Sequence, residues 1–323
     1  MKALCVFSGG LDSMLAAELI RAQGIDVLAL FFQTPFFGSK TAKKSALSTD
    51  LPFRVVDITD RHLKVVKAPR HGYGGNMNPC IDCHALMFRI AGEMLEEEQA
   101  GFVLTGEVLG QRPMSQNKQS LDLVARESGL DGLLLRPLTA KCLQETIPEQ
   151  KGWVKRDLLM DFQGRTRKPQ IDLARKLNIE GYPAPAGGCI LTEKAFSRRL
   201  KDLFSHNTNA GPREIELLKL GRHFRISPDL KLVAGRNKRE NQAIQDLSGD
   251  KDLILTTISV PGPTVLVSGD VSEETLQLSA GITLAYSDAT NDRTTDVMVK
   301  GRMGEEIISA TVRDKKEFRG YLI

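Results

Sequence analysis

The sequence predicts an α/β protein: a Rossmann-like parallel sheet with helices on both faces, followed by a smaller α+β domain. Three observations predict it. Short apolar runs alternate with stretches of helical period through the first third of the chain. A glycine- and serine-bearing loop joins the first run directly to the first helical stretch. Beyond about residue 195 the pattern changes to short strands separated by turns.

The elements follow in order. Lys2–Phe7, Val27–Phe32, Phe53–Ile58 and Phe102–Thr105 are apolar runs suited to strands buried on both faces. Met14–Gln23 and His84–Glu98 carry apolar residues at helical spacing, Leu15 and Leu19 in the first, Leu86, Ile90 and Met94 in the second. Leu133–Leu135 and a helix over Lys168–Leu177 extend the pattern. Lys194–Phe204 reads as a helix leading to the polar loop Ser205–Pro212. Strands are expected at His223–Ile226, Leu230–Ala234, Leu253–Val260, Thr264–Val267, Asp296–Lys300 and Glu306–Thr311, with helices at Lys238–Leu247 and Ser272–Tyr286. The domain boundary is placed at 205, giving domains 1–205 and 206–323.

Composition excludes several classes. Of 323 residues, 41% are hydrophobic and 26% charged, which supports a packed core and argues against disorder, collagen and coiled coil. The longest apolar run, Val27–Phe32, is six residues, against roughly 20 for a membrane span. An odd count of five cysteines, without an export signal at the first strand, predicts the reducing cytoplasm. The net charge of +4 is unevenly spread. Residues 1–239 carry the basic excess, whereas residues 240–323 hold 8 basic and 14 acidic groups. Such a basic side suits a polyanion partner.

Ser8-Gly9-Gly10-Leu11-Asp12-Ser13 lies where a strand passes into a helix. Helix N-terminal amides, close backbone approach at the glycines and two hydroxyls make a phosphate cradle. It lacks the Gly-Lys-Ser/Thr ending of a Walker loop. Asp12 would repel phosphate unless Mg²⁺ lay between them.

The hexamer resembles the SGGxDS loop of the PP-loop ATP pyrophosphatases. The resemblance implies ATP cleaved to AMP and pyrophosphate while a carbonyl-type oxygen is adenylated, with Ser8, Gly9, Gly10, Asp12 and Ser13 at the pyrophosphate and metal. Fold analogy adds Phe31, Phe32 and Gln33 near the adenine.

Cys80 and Cys83 stand two residues apart in Asn78-Pro79-Cys80-Ile81-Asp82-Cys83, and Cys189 follows two glycines about a hundred residues on. Cys83 is expected at or just before the N-terminus of a helix beginning near His84, where the dipole favours thiolate. Cys5 and Cys142 are read as structural. A Cys pair with a distant third suits persulfide transfer resolved by a second thiolate, or a 4Fe–4S cluster on Cys80, Cys83 and Cys189. Zinc is a third possibility, with His84 or His71 as fourth ligand. The segment looks like the NPxxxC region of tRNA 2-thiouridylases, and GGCILT like that of their second cysteine. The extra Cys80 makes the chain resemble the iron–sulfur-dependent tRNA thiolases.

Thr105–Gln116 follows a buried strand, where open α/β sheets bind ligands. Gly106 is read as letting the backbone approach the nucleotide, and Arg112 as reaching phosphate or RNA. Arg165, Arg167 and Lys168 form a basic loop suited to an RNA backbone. Arg236, Lys238 and Arg239 stand at a second helix N-terminus. That string, with Gly262–Val267, resembles the NFACT-R type of RNA-binding domain over roughly residues 210–320. With the nucleotide loop beginning at residue 8, no THUMP-like extension is expected, a departure from the 4-thiouridine synthases that carry one.

Together these readings point to an ATP-dependent tRNA sulfurtransferase: a uridine oxygen adenylated, then replaced by sulfur from a persulfide carrier or sulfide. The alternatives are an adenylating ligase with an amine or ammonia nucleophile, and a nucleotide-switched RNA-binding factor.

Overall fold

The computed structural model describes residues 1–184, 189–290, 293–302 and 304–323. They form two compact units, Met1–Thr192 and Glu193–Ile323.

The first unit contains β1 (Lys2–Val6), α1 (Leu11–Arg21), β2 (Asp26–Gln33), α2 (Lys40–Ser48), β3 (Phe53–Asp57), α3 (Thr59–Lys67), α4 (Cys80–Glu93), β4 (Phe102–Thr105), α5 (Lys118–Ser128), β5 (Leu134–Leu135), α6 (Ile147–Gln150) and α7 (Lys168–Lys176). The sheet order is β3-β2-β1-β4-β5, every pair parallel. Strand alternation explains why the runs are apolar throughout. Ala3, Cys5, Val27, Ala29, Phe31, Phe102 and Leu104 enter one core with Met14 and Leu15 of α1. Leu4, Leu28, Leu30, Phe32 and Val103 enter the other with Leu86 and Phe88 of α4 and Val124 of α5. A strand covered on both faces has no polar positions to alternate with.

The second unit opens with α8 (Lys194–His206) and α9 (Pro212–Leu218), then β6 (Arg222–Ser227), β7 (Leu230–Ala234), α10 (Lys238–Asp246), β8 (Leu253–Thr257), β9 (Val265–Gly269), α11 (Glu273–Ala285), β10 (Thr294–Gly301) and β11 (Gly304–Thr311). Its antiparallel sheet runs β11-β10-β8-β9-β7-β6. Ala280, Ile282 and Leu284 of α11 share a core with Leu232, Leu255, Val267 and Val297 of the sheet.

The division falls after Thr192, ahead of the expected boundary at 205, because charged side chains tie α8 to the second unit. Arg225 grips both carboxylate oxygens of Asp202, at 3.1 and 2.7 Å. Arg199 donates to the Leu218 carbonyl at 2.9 Å. The helices α2, α3 and α5 were not legible as periods; they carry few apolar residues and cover the sheet with only one narrow face each.

Leu104 is fully buried at the centre of the parallel sheet. Leu104→Ala is expected to cost about 2–5 kcal/mol of stability, read as a lower denaturant midpoint at unchanged slope.

Candidate active site

β1 and β4 are neighbours, and their connections leave to opposite faces of the sheet: α1 packs into one core, α5 into the other. This is the switch point at which open α/β sheets bind ligands beyond the strands' carboxyl ends. The nucleotide loop, Ser8–Ser13, follows β1, and Thr105–Gln116 follows β4.

Gly9 takes φ +76°, and a Cβ there would lie 2.5 Å from Ala42 Cα of α2. Only glycine fits. Ser45 of α2 donates to the Gly9 carbonyl at 2.8 Å, fixing the loop from that side. Ser13 Oγ donates to the Gly10 carbonyl at 2.8 Å and lies 3.3 Å from Ser8 Oγ. α1 begins at Leu11, so Asp12 and Ser13 sit in its first turn, where the leading backbone amides have no partner one helical turn back.

Gly106 also stands where only glycine fits, for a reason other than the one expected. A Cβ would meet the backbone of Asp12 and Ser13 at 2.5 Å. The residue lets the β4 loop press against α1's first turn. Across this contact Gln111 Nε2 donates to Asp12 Oδ2 at 2.8 Å, and Gln170 Nε2 of α7 donates to Gln111 Oε1 at 3.1 Å. Asp12 Oδ1 is buried and has no hydrogen-bond partner among the described residues. That orphaned carboxylate oxygen, beside free helix amides, fits Mg²⁺ held together with phosphate oxygens and water.

Arg167 is redirected too. The sequence assigns it to RNA, but its Nη2 lies 4.0 Å from Asp12 Oδ1 and places the guanidinium at the nucleotide loop. Arg165 and Lys168 on either side are exposed. Phe32 is 3% exposed and packs among Leu30, Leu86 and Phe88, so its ring is not available to an adenine. Phe31 is buried in the opposite core, and Gln33 accepts a hydrogen bond from Ser39.

The cysteines converge. α4 begins at Cys80, not near His84, so Cys80 and Cys83 both lie in its first turn. The loop before it is held against the segment after Cys189: Met77 N–H donates to the Leu191 carbonyl at 3.3 Å, and Asn76 Nδ2 to the Thr192 carbonyl at 2.6 Å. Residues 185–188, the Gly-Gly pair among them, lie outside the described residues. Cys83 is buried, whereas Cys80 and Cys189 are half-buried. Burial pushes the Cys83 thiol up, and the neighbouring Cys189, Cys80 and Asp82 add to the shift. The dipole effect expected from sequence is therefore outweighed by desolvation. Burial raises Cys80 as well, opposed by Arg112 nearby. The β4 loop thus bonds to Asp12 through Gln111, and its Arg112 is near enough to Cys80 to act on it electrostatically.

No group of three His, Cys, Asp or Glu side chains among the described residues is arranged to hold a metal ion. The three thiols are electrostatic neighbours without forming a ready ligand set. The two histidines considered for zinc are engaged elsewhere through Nδ1, His71 with Asp82 at 3.0 Å and His84 with Glu107 at 2.8 Å.

Several residues at the site carried no signal in the sequence beyond their type. Glu107 is 4% exposed and bridges His84 to the buried Arg136, whose Nε donates to it at 2.9 Å. Burial alone would raise Glu107's pKa; the Arg136 guanidinium and the His84 hydrogen bond outweigh it and hold the carboxyl below its ordinary value. His62 of α3 lies 3.2 Å from Cys83 Sγ. In the second unit Lys238 and Arg239 are exposed on α10, while Arg236 is paired with Glu240 at 2.6 Å.

Glu107 is charged in the folded protein and its pKa is depressed there, so its stabilisation is present above the unfolded value and lost as pH falls through the folded one. Glu107→Gln, which leaves Arg136 uncompensated, is expected to cost about 3–5 kcal/mol near neutrality. The difference from the parent chain should shrink below about pH 4, measured as unfolding midpoints across pH.

Residues 1–148 match the family model described as thiamine biosynthesis protein (ThiI), and residues 221–322 match that of the NFACT protein RNA binding domain. Among curated relatives, the chain is 28% identical over 155 residues to a probable tRNA sulfurtransferase of Oceanobacillus iheyensis, covering 45% of this chain and 37% of the relative. It is 33% identical over 150 residues to one of Moorella thermoacetica, covering 43% and 36%. The chain thus spans little more than a third of the length of these two relatives. A solved 4-thiouridine synthetase–RNA complex with bound ATP is 20% identical, with 55% of this chain and 51% of that one covered at a TM-score of 0.34, a likeness on which no argument rests. The first part of the chain is thus similar to the ThiI family and the last part to the NFACT RNA-binding domain.

Proposed function

We propose that the protein is an ATP-dependent tRNA sulfurtransferase. The observation that carries the reading is the single β4 loop that contacts Asp12 through Gln111 and stands beside Cys80 through Arg112. Adenylating and sulfur-bearing groups thereby share one edge of one sheet. The curated relatives named tRNA sulfurtransferase and the RNA-binding family match support the same reading.

ATP's phosphates lie on the α1 amides, Ser8, Ser13 and Arg167. Asp12 Oδ1 would hold Mg²⁺, which when bound would neutralise charge on the departing pyrophosphate. A uridine carbonyl oxygen attacks the α-phosphorus; the bond to pyrophosphate breaks, and the base carries AMP. Cys189, the more exposed thiol, takes a sulfane sulfur from a persulfide carrier and releases that carrier's thiolate. The terminal sulfur attacks the activated carbon, and AMP leaves with the electron pair of its C–O bond. Cys83 as thiolate then attacks Cys189 Sγ. The thiouridine departs with the S–S electrons, and the Cys83–Cys189 disulfide is returned to two thiols by an external dithiol.

The third neighbouring thiol, Cys80, has no part in this scheme and favours a second reading, a 4Fe–4S cluster on Cys80, Cys83 and Cys189 with sulfide as donor. Iron and acid-labile sulfide content of anaerobically purified protein separates the two. An amine or ammonia ligase would leave the three thiols without a role. A nucleotide-switched RNA-binding factor would turn ATP over without altering the RNA.

Asp12→Asn is expected to lower pyrophosphate release about a hundredfold or more with tRNA and ATP present. Cys189→Ser and Cys83→Ser should leave pyrophosphate release intact and reduce thiolated nucleoside, measured by mass spectrometry, to background. Full thiolation by either serine variant would defeat the sulfur assignment.

For the second unit, Lys238→Ala with Arg239→Ala is expected to weaken tRNA binding. The slope of log affinity against log salt should flatten by about 1 for each RNA phosphate that the two cations neutralise in the parent chain. An unchanged slope would remove α10 from the RNA-binding surface.

A further inference from the structure

His62 is a fully buried polar side chain outside the nucleotide and phosphate contacts. It projects from α3 between two aromatic rings, Phe36 and Phe37, each 5.5 Å away centre to centre. Its Nε2 lies 3.2 Å from Cys83 Sγ, and its Nδ1 is buried without a hydrogen-bond partner among the described residues. A histidine needed only to fill this space would be replaced by a third aromatic or a leucine without leaving a polar atom stranded. Among the described residues, the hydrogen bond to sulfur is the one polar contact of the ring's side-chain nitrogens.

The stranded atom also decides which way that bond runs. If the ring carried its proton on Nδ1, a buried N–H would be left with nothing to donate to. If the proton is on Nε2, the stranded atom is an unfilled acceptor, the cheaper of the two. The imidazole therefore donates rather than receives.

We propose that His62 is a positioning residue for the sulfur chemistry: its Nε2–H holds Cys83 Sγ in place and stabilises negative charge on that sulfur until the bond to Cys189 forms. The role rests on the sulfur-transfer reading above. It gives Cys83 an assignment distinct from Cys80, three residues earlier, for which no such ring partner is present among the described residues. It also explains how a thiol this deeply buried, with two other thiols and Asp82 beside it, can act as a nucleophile. A neutral donor supplies stabilisation to the sulfur anion without adding a second buried charge.

The test compares His62→Leu, which fills the space but cannot donate, with His62→Gln, whose amide N–H reaches about as far as Nε2. Both are measured in the full chain with ATP and tRNA, alongside Cys83→Ser. For His62→Leu the expected result is a fall in kcat for thiolation of about ten- to a hundredfold. KM for tRNA and the rate of pyrophosphate release should stay at parent values, and His62→Gln should recover most of the loss. Parent-like thiolation by His62→Leu, or a glutamine variant no better than leucine, overturns the proposal. Should the leucine variant not fold, ¹⁵N NMR of the parent's histidines decides instead. A neutral Nε2–H ring whose signal shifts on Cys83→Ser supports the role, and an Nδ1–H ring or an unshifted signal overturns it. If Cys83→Ser itself thiolates normally, the sulfur reading fails; if it is inert while His62→Leu is unimpaired, only the role of His62 fails.

Discussion

The site depends on one geometric constraint, the close approach of the β4 loop to the first turn of α1. β1 and β4 run parallel and adjacent, with Val6 opposite Thr105, so the chain segments that follow them emerge side by side. Their helices then diverge to opposite faces of the sheet. Gly106 sets how near the loops come. With no Cβ to hold them apart, Gln111 reaches Asp12 and the β4 loop is locked in register with the nucleotide loop. A side chain at 106 would wedge the backbones apart and uncouple the two halves.

From that contact the rest of the arrangement is built by buried polar groups that satisfy one another. Glu107, the next residue, is fixed between Arg136 and His84. That anchors the β4 loop to α4, because His84 lies one residue past Cys83. Asp82 on the same turn holds His71, and Asn76 and Met77 hold the segment that follows Cys189. The thiols are thus brought together by hydrogen bonds made on their neighbours. The scaffold leaves Asp12 Oδ1 without a hydrogen-bond partner among the described residues, in the first turn of α1, and the proposed adenylation uses that turn.

The basic residues divide along similar lines. Arg167 stands by Asp12, its Nη2 4.0 Å from Oδ1, so its charge lies at the nucleotide loop. Arg165 and Lys168 beside it remain exposed. In the second unit Glu240 largely neutralises Arg236, while Lys238 and Arg239 stay in solvent at the start of α10. A sequence string of three exposed cations therefore includes one that pairs with Glu240.

The sequence by itself determined the parallel sheet, the place of the glycine-serine loop between its first strand and helix, the spacing of the cysteines and the smaller α+β second unit. These are encoded locally, in strand-length apolar runs, in glycines at positions that exclude a Cβ, and in residues adjacent along the chain. Only the tertiary structure decided what those features do to one another. Phe32 lies in the core because side chains on a strand alternate, and the even register faces α4. Cys83 is a raised, buried thiol because α4 starts earlier than its apolar period indicates, turning that sulfur inward. Glu107, Arg136, His62 and Gln170 come from four separate stretches of sequence, and none carries a pattern of its own. Their meaning arises from contacts between residues 21 to 59 positions apart, and such contacts are set by how helices pack on the sheet, which no local spacing records.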